Sequence, residues 1–162
     1  MRFRRIYLWL GLTLGPLAIA GLRLYTKVTK SPRVRVIVVN ESGKILLVKN
    51  VLSLRNEWTL PGGGVARGES YAETAQRELR EETGILASLD SFELIATLEP
   101  ANSGLQYVAP ILKTECRSLS LPATLYNTRE IADAGWFDPE KLPEDTAVLV
   151  QKALLVAESS LR

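Results

Sequence analysis

Glu78, Glu81 and Glu82 stand three and four residues apart, a spacing that gathers three carboxylates within an arc of about 100° on a helix. Like charges at this spacing repel, by roughly a few tenths of a kcal/mol per pair. A cation among them would relieve the repulsion. Mg²⁺ suits the role because it takes carboxylate and water oxygens in an octahedron and bridges to phosphates. The same acids could instead form a solvated face paired with Arg77 and Arg80. The chain contains no histidine, which removes imidazole bases, Ser-His triads and His-ligated zinc from the available chemistries. Any metal site must therefore be built from oxygen donors.

The surrounding residues decide between these readings. Gly63 is followed after five residues by Glu69, and after seven more by Arg77-Glu78-Leu79-Arg80-Glu81-Glu82-Thr83-Gly84-Ile85. This run resembles the signature of the Nudix family, G-x5-E-x7-R-E-U-x-E-E-x-G-U with U aliphatic, and fills every fixed position of it. The preceding Trp58-Thr59-Leu60-Pro61-Gly62-Gly63-Gly64 is similar to that family's lead-in. The match is firm over 63–85, extends to about 34–158 in the order of strands and helices, and does not reach the first 32 residues.

The resemblance implies an α/β fold, a three-layer α/β/α sandwich with a mixed sheet, in which a loop-helix-loop holds Mg²⁺, with Mn²⁺ as a possible substitute. By motif position Glu78, Glu81 and Glu82 are the implied metal ligands. Arg77 would orient a glutamate through an ion pair, Glu69 would support the metal site or its water network, and Gly63 and Gly84 would serve the backbone. The implied reaction is attack of water on a phosphorus of a small-molecule diphosphate, a nucleoside diphosphate linked to another moiety. Such chemistry rests on alignment and electrostatic stabilisation. Glu81 or Glu82 is the first choice of base, with Glu99 and then Glu115 as candidates outside the signature. Gly63, Gly64, Glu99 and Tyr107 are candidate substrate neighbours. Tyr107, Trp58 and Phe137 could stack on a base, and Arg55 and Lys49 could touch phosphates, although each also has an ordinary structural reading. A membrane-tethered sensor without turnover is disfavoured by the intact signature. Hydrolysis of a lipid-linked diphosphate stays open, and isomerisation of an isoprenoid diphosphate is disfavoured by the absence of histidine.

The elements that must position these side chains follow from local pattern. Residues 33–40 and 45–49 are apolar and β-branched around a 41–44 turn, which predicts a hairpin, and 50–56 reads as a loop. Ser70 with Glu73 forms a capping box opening a helix over 70–83, and Gly84 supplies its stop. Strands are predicted at 91–99, 106–116 and 136–137, and a closing helix at 146–157. Mixed strands with flanking helices indicate layered α/β packing. Cys116, alone, forms no intramolecular disulfide and reads as a buried or half-buried strand residue.

Charge is unevenly distributed. Eight basic residues and no acid fall within 1–35, leaving 12 basic against 18 acidic residues beyond, a net of −6. An acidic body without a basic stripe gives no expectation of nucleic-acid binding. Residues 6–22 are uncharged and bracketed by arginines, which predicts a membrane-associated apolar helix over 1–25, a single-pass transmembrane anchor with the catalytic domain cytoplasmic. A cleaved signal and a helix buried against protein are the rival readings of that segment. A basic linker over 26–32 and a catalytic domain over 33–160 complete the expected organisation.

Overall fold

The computed structural model describes residues 32–51, 53, 55–99, 108–117 and 130–159. Strand β1 (Arg35–Asn40) and strand β2 (Ile45–Asn50) form the predicted hairpin, meeting at Val39 and Ile45. The Asn40 side chain organises the turn, its Oδ1 accepting the N–H groups of Ser42 and Lys44, both at 3.0 Å. This local bonding is what favours Asn at turns.

Helix α1 (Tyr71–Thr83) is followed by a 3-10 turn at Leu89–Ser91, then by β3 (Glu93–Leu98), β4 (Ala109–Cys116), β5 (Ile131–Phe137) and helix α2 (Val148–Ser159). The strands form one mixed sheet in the order β3-β4-β1-β2-β5, with β1 and β4 parallel and the other neighbours antiparallel. Period-two alternation sorts the apolar side chains onto two faces. Val34, Val36, Val38, Leu46 and Leu112 pack with Ala75 and Leu79 of α1. Ile37, Ile45, Leu47, Ala109 and Ile111 pack with Val150 and Ala153 of α2. The sheet is thus the middle of three layers, as the resemblance implied.

One departure from a plain hairpin places the site. Beyond the Val39 and Ile45 pair, residues 58–64 lie between β1 and β2 and hydrogen-bond to both. Val48 and Thr59 exchange N–H···O bonds at 2.9 Å, Val36 N–H donates to Pro61 O at 2.9 Å, and Arg33 bridges Gly64. The glycine run is therefore held as a short inserted strand.

Several boundaries differ from expectation. β5 is seven residues long rather than two, because Ala, Asp and Gly within 131–135 hide its pattern while full pairing with β2 imposes it. β2 reaches Asn50, expected in a loop. Ser91 belongs to the 3-10 turn, and α2 starts at Val148 because Thr146 is engaged in a bridge with Trp58.

The membrane expectation is corrected. Among the described residues no helix is long and apolar enough to cross a membrane, which overturns the transmembrane helix, the membrane partner and the single-pass anchor with a cytoplasmic domain. Helices of 13 and 12 residues extend about 20 and 18 Å, short of a hydrocarbon core of about 30 Å. Residues 1–25, where the apolar helix was predicted, lie outside the described residues.

Candidate active site

Helix α1 begins with the predicted capping box. Ser70 Oγ accepts the Glu73 N–H at 3.2 Å, and the Ser70 N–H donates to Glu73 Oε2 at 2.8 Å. Gly84 closes the helix, its N–H reaching Arg80 O at 2.9 Å. Thr74, Ala75, Leu79 and Thr83 are buried toward the sheet, and Glu82 is buried with them at 5% exposure. The three carboxylates consequently meet different environments: the side chains of Glu78 and Glu81 are 12% and 54% exposed. The acids were expected along one edge of the helix, but the last of them turns inward against the inserted strand.

Two glycines make that approach possible. Gly62 N–H donates to Glu82 Oε2 at 2.7 Å. Gly62 has φ +135°, and a Cβ there would lie 2.2 Å from Val34 O, so a side chain is excluded both by conformation and by space. A Cβ on Gly63 would lie 2.2 Å from Glu78 Oε1. The inserted strand thus runs directly against two of the three carboxylates.

Arg77 gathers the remaining acids. Its Nε and Nη2 donate to Glu69 Oε1 and Oε2 at 2.8 and 2.9 Å, the bidentate geometry in which guanidinium and carboxylate bond most strongly. Its Nη1 donates to Glu78 Oε1 at 2.8 Å and reaches Glu81 Oε2 at 3.5 Å, while Nη2 also meets Gly64 O at 3.2 Å. Glu69 further accepts from Thr74 Oγ1 and the Ala66 N–H. The Arg77 hydrogen bonds, opposed by partial burial and aided by those of Thr74 and Ala66, hold the Glu69 carboxyl down at about 2. The hydrogen bonds of Arg77 to Glu69 and, after the opposing cost of partial burial, to Glu78 raise the guanidinium further above its usual range.

Glu82 is shifted the other way. Burial pushes its carboxyl up to about 7, against the pull of the Gly62 N–H and the Arg35 charge and with the push of Glu78 and Glu130. Among the described residues no three acidic side chains converge as a ready-made metal cage. Glu82 spends one oxygen on Gly62 and Glu78 one on Arg77. This suits Mg²⁺ more than it excludes it, since that ion keeps several waters and takes one or two carboxylates together with substrate phosphates. A buried carboxylate destabilised in its charged form, beside a second acid, is an all-oxygen donor set short of positive charge.

The other candidates are dispersed. Glu99 is exposed just past β3, at the end of the sheet where Arg33 N–H bonds Val108 O and Arg33 bridges Gly64. Glu115 is exposed on β4 opposite Val39, toward the other end. Trp58 packs edge to face on Phe137, with centroids 4.7 Å apart, and Lys49 Nζ lies 5.0 Å above its ring while ion-paired to Asp145. Arg55 pairs with Glu57 at 3.7 Å. Tyr107 lies outside the described residues. Sequence reasoning missed Arg35 and Glu130, whose charges reach Glu82. The available signal for Arg35 was a cation set within the β-branched run Val34-Arg35-Val36; Glu130, just ahead of an unrecognised strand, gave none.

Comparison with known proteins agrees with this architecture. The sequence profile described as the NUDIX domain matches residues 29–156. A putative 8-oxo-dGTP diphosphatase of Bacillus subtilis (strain 168) is 52% identical over 59 residues, 35% of this chain and 36% of that one. An RNA pyrophosphohydrolase of Pelagibacter ubique (strain HTCC1062) is 42% identical over 52 residues, 32% and 33% of the two chains. The crystal structure of a MutT NUDIX hydrolase from Burkholderia pseudomallei superposes with a TM-score of 0.64 at 25% identity, covering 77% of this chain and 95% of that one. The chain spans about a third of the length of the curated relatives it matches.

Proposed function

The chain belongs to the Nudix family, and from that premise we propose that it hydrolyses the phosphoanhydride of a nucleoside diphosphate linked to another moiety, using a divalent ion at α1. The observation that carries this reading is Glu82, a buried carboxylate pinned by the Gly62 N–H beside Glu78. A charge in that position needs a compensating cation.

Glu78, Glu81 and Glu82 are the side chains proposed to hold Mg²⁺, or Mn²⁺ in its place. When bound, such an ion supplies Lewis acidity toward phosphoryl oxygens and a lower pKa for coordinated water. Arg77 engages only one oxygen of Glu78 and is itself clamped by both oxygens of Glu69, so it fixes the orientation of Glu78 without neutralising it entirely. Glu69, held ionised, acts as the anchor of that arginine. Glu82 or Glu81 is the proposed base that accepts the proton of the attacking water. Of the acids outside the signature, Glu130 rather than Glu99 has its charge felt at Glu82.

The relatives are named for different substrates, 8-oxo-dGTP in one case and RNA in the other. Shared signature residues therefore support the bond broken and leave the leaving group to be measured. The test is a screen of the full chain with Mg²⁺ or Mn²⁺ over nucleotide sugars, dinucleoside polyphosphates, NADH, ADP-ribose and nucleoside triphosphates, read as inorganic phosphate after added alkaline phosphatase has cleaved the phosphomonoester products or, for the triphosphates, after added inorganic pyrophosphatase has cleaved pyrophosphate. Metal-dependent release from at least one class, abolished by Glu82→Gln, is expected. Turnover unchanged in that variant would remove the site.

A further inference from the structure

We propose that Arg35 is a positioning residue for the metal-facing carboxylate Glu82, acting through Gly62; this rests on the reading of α1 as a divalent-ion site. Arg35 Nη1 donates to Gly62 O at 2.6 Å and touches Val34 O at 3.2 Å, while Gly62 N–H donates to Glu82 Oε2 at 2.7 Å. One residue of the inserted strand is thus gripped from both sides, by a guanidinium at its carbonyl and by a carboxylate at its amide. Gly62 has no side chain to hold it and a backbone conformation of its own kind, so these two bonds and its packing on Val34 fix where its N–H points.

The placement of Arg35 is hard to explain otherwise. It occupies β1 between the buried Val34 and Val36, and its Nε is buried without an acceptor. Among the described residues no carboxylate pairs with it directly, although a half-buried guanidinium ordinarily acquires one. Its charge is nevertheless felt at Glu82 and favours the ionised carboxylate there. Arg35 therefore stands to Glu82 as Arg77 stands to Glu78, except that a glycine intervenes. The arrangement is that of an outer partner of a metal ligand, and removing such partners typically weakens metal binding by about 10- to 100-fold.

The test uses the full chain carrying Arg35→Met, which keeps the apolar stem, and Arg35→Lys, which keeps a donor and a charge. Lys152→Met, exposed on α2, controls for net charge. Mg²⁺ is titrated while thermal stability or calorimetric heat is followed. The expected result is a midpoint raised about 10-fold or more in Arg35→Met, a smaller rise in Arg35→Lys, and none in the control. The fall in melting temperature caused by Arg35→Met should also be smaller in a Glu82→Gln background. Should Arg35→Met fail to fold, Arg35→Lys alone carries the metal test, and an unshifted midpoint there overturns the proposal. Equal midpoints for wild type and Arg35→Met, or equal melting losses in both backgrounds, would reduce Arg35 to packing. A chain that responds to Mg²⁺ but releases no phosphate would instead sink the hydrolytic reading and leave this one standing.

Discussion

Replacing Glu82 by glutamine should make the metal-free protein more stable at pH 8 while abolishing turnover. The native carboxyl is raised from 4.5 to about 7, so its ionisation in the fold costs about 3 kcal/mol relative to the unfolded chain. The sign follows from the raised value: the contribution is fully favourable below pH 4.5 and is lost as pH rises through about 7. Glutamine has the same shape, retains an oxygen to accept the Gly62 N–H, and does not ionise. In EDTA at pH 8 the variant should therefore unfold roughly 10 °C above wild type, about 3 kcal/mol for a domain of this size, and the two should converge toward pH 5. Other titrating groups cancel in the difference. Excess Mg²⁺ should raise wild type toward the variant and leave the variant nearly unmoved, because binding to the folded state alone stabilises it. Scanning calorimetry at both pH values, with and without metal, reads all of this. A variant less stable than wild type in EDTA at pH 8, or one stabilised equally by Mg²⁺, would refute the claim that Glu82 is a buried charge awaiting a cation.

Gly63→Ala places a methyl where the Glu78 carboxylate now sits; the side chain must move, and kcat should fall about 10-fold or more by the geometric sensitivity of such sites, read by steady-state assay. Leu79→Ala, at a fully buried position of α1, should lower stability by about 2–5 kcal/mol in denaturant titration, and a loss under 1 kcal/mol would mean α1 is not packed on the sheet as described. Glu69 is held at about 2, a depressed value, so its contribution is present above its ordinary pKa of 4.5 and lost as pH falls from there through 2. Glu69→Gln should accordingly flatten the acid limb of the stability profile, and an unchanged limb would deny that Arg77 and Glu69 are coupled.

The parts of the fold that were legible were those in which local and global preferences agree. The hairpin, the capped helix α1 and its Gly84 stop are written in neighbouring residues, and they appear where the pattern puts them. β5 was mostly invisible because Asp133 and Gly135 break its alternation, and only pairing with β2 imposes the strand. Helical spacing grouped Glu78, Glu81 and Glu82 but could not tell that Glu82 alone would be buried, since that depends on a strand inserted from 58–64. Arg35 was missed for the same reason: its partner is 27 residues away across the sheet.

That inserted strand also explains why the acids are tolerated. An isolated α1 would carry its carboxylates into water, where their repulsion is weak and screened. Packing against Gly62 and Gly63 removes that screening from Glu82 and most of it from Glu78, so the fold itself creates the electrostatic deficit. Arg77 offsets it at Glu78 by direct contact, whereas Arg35 reaches Glu82 only through a glycine. The compensation is therefore uneven, and the less neutralised carboxylate is the buried one. If a divalent ion completes the site, its binding adds to the stability of the folded domain by mass action, and metal affinity should weaken as pH falls below about 7 and Glu82 takes up its proton.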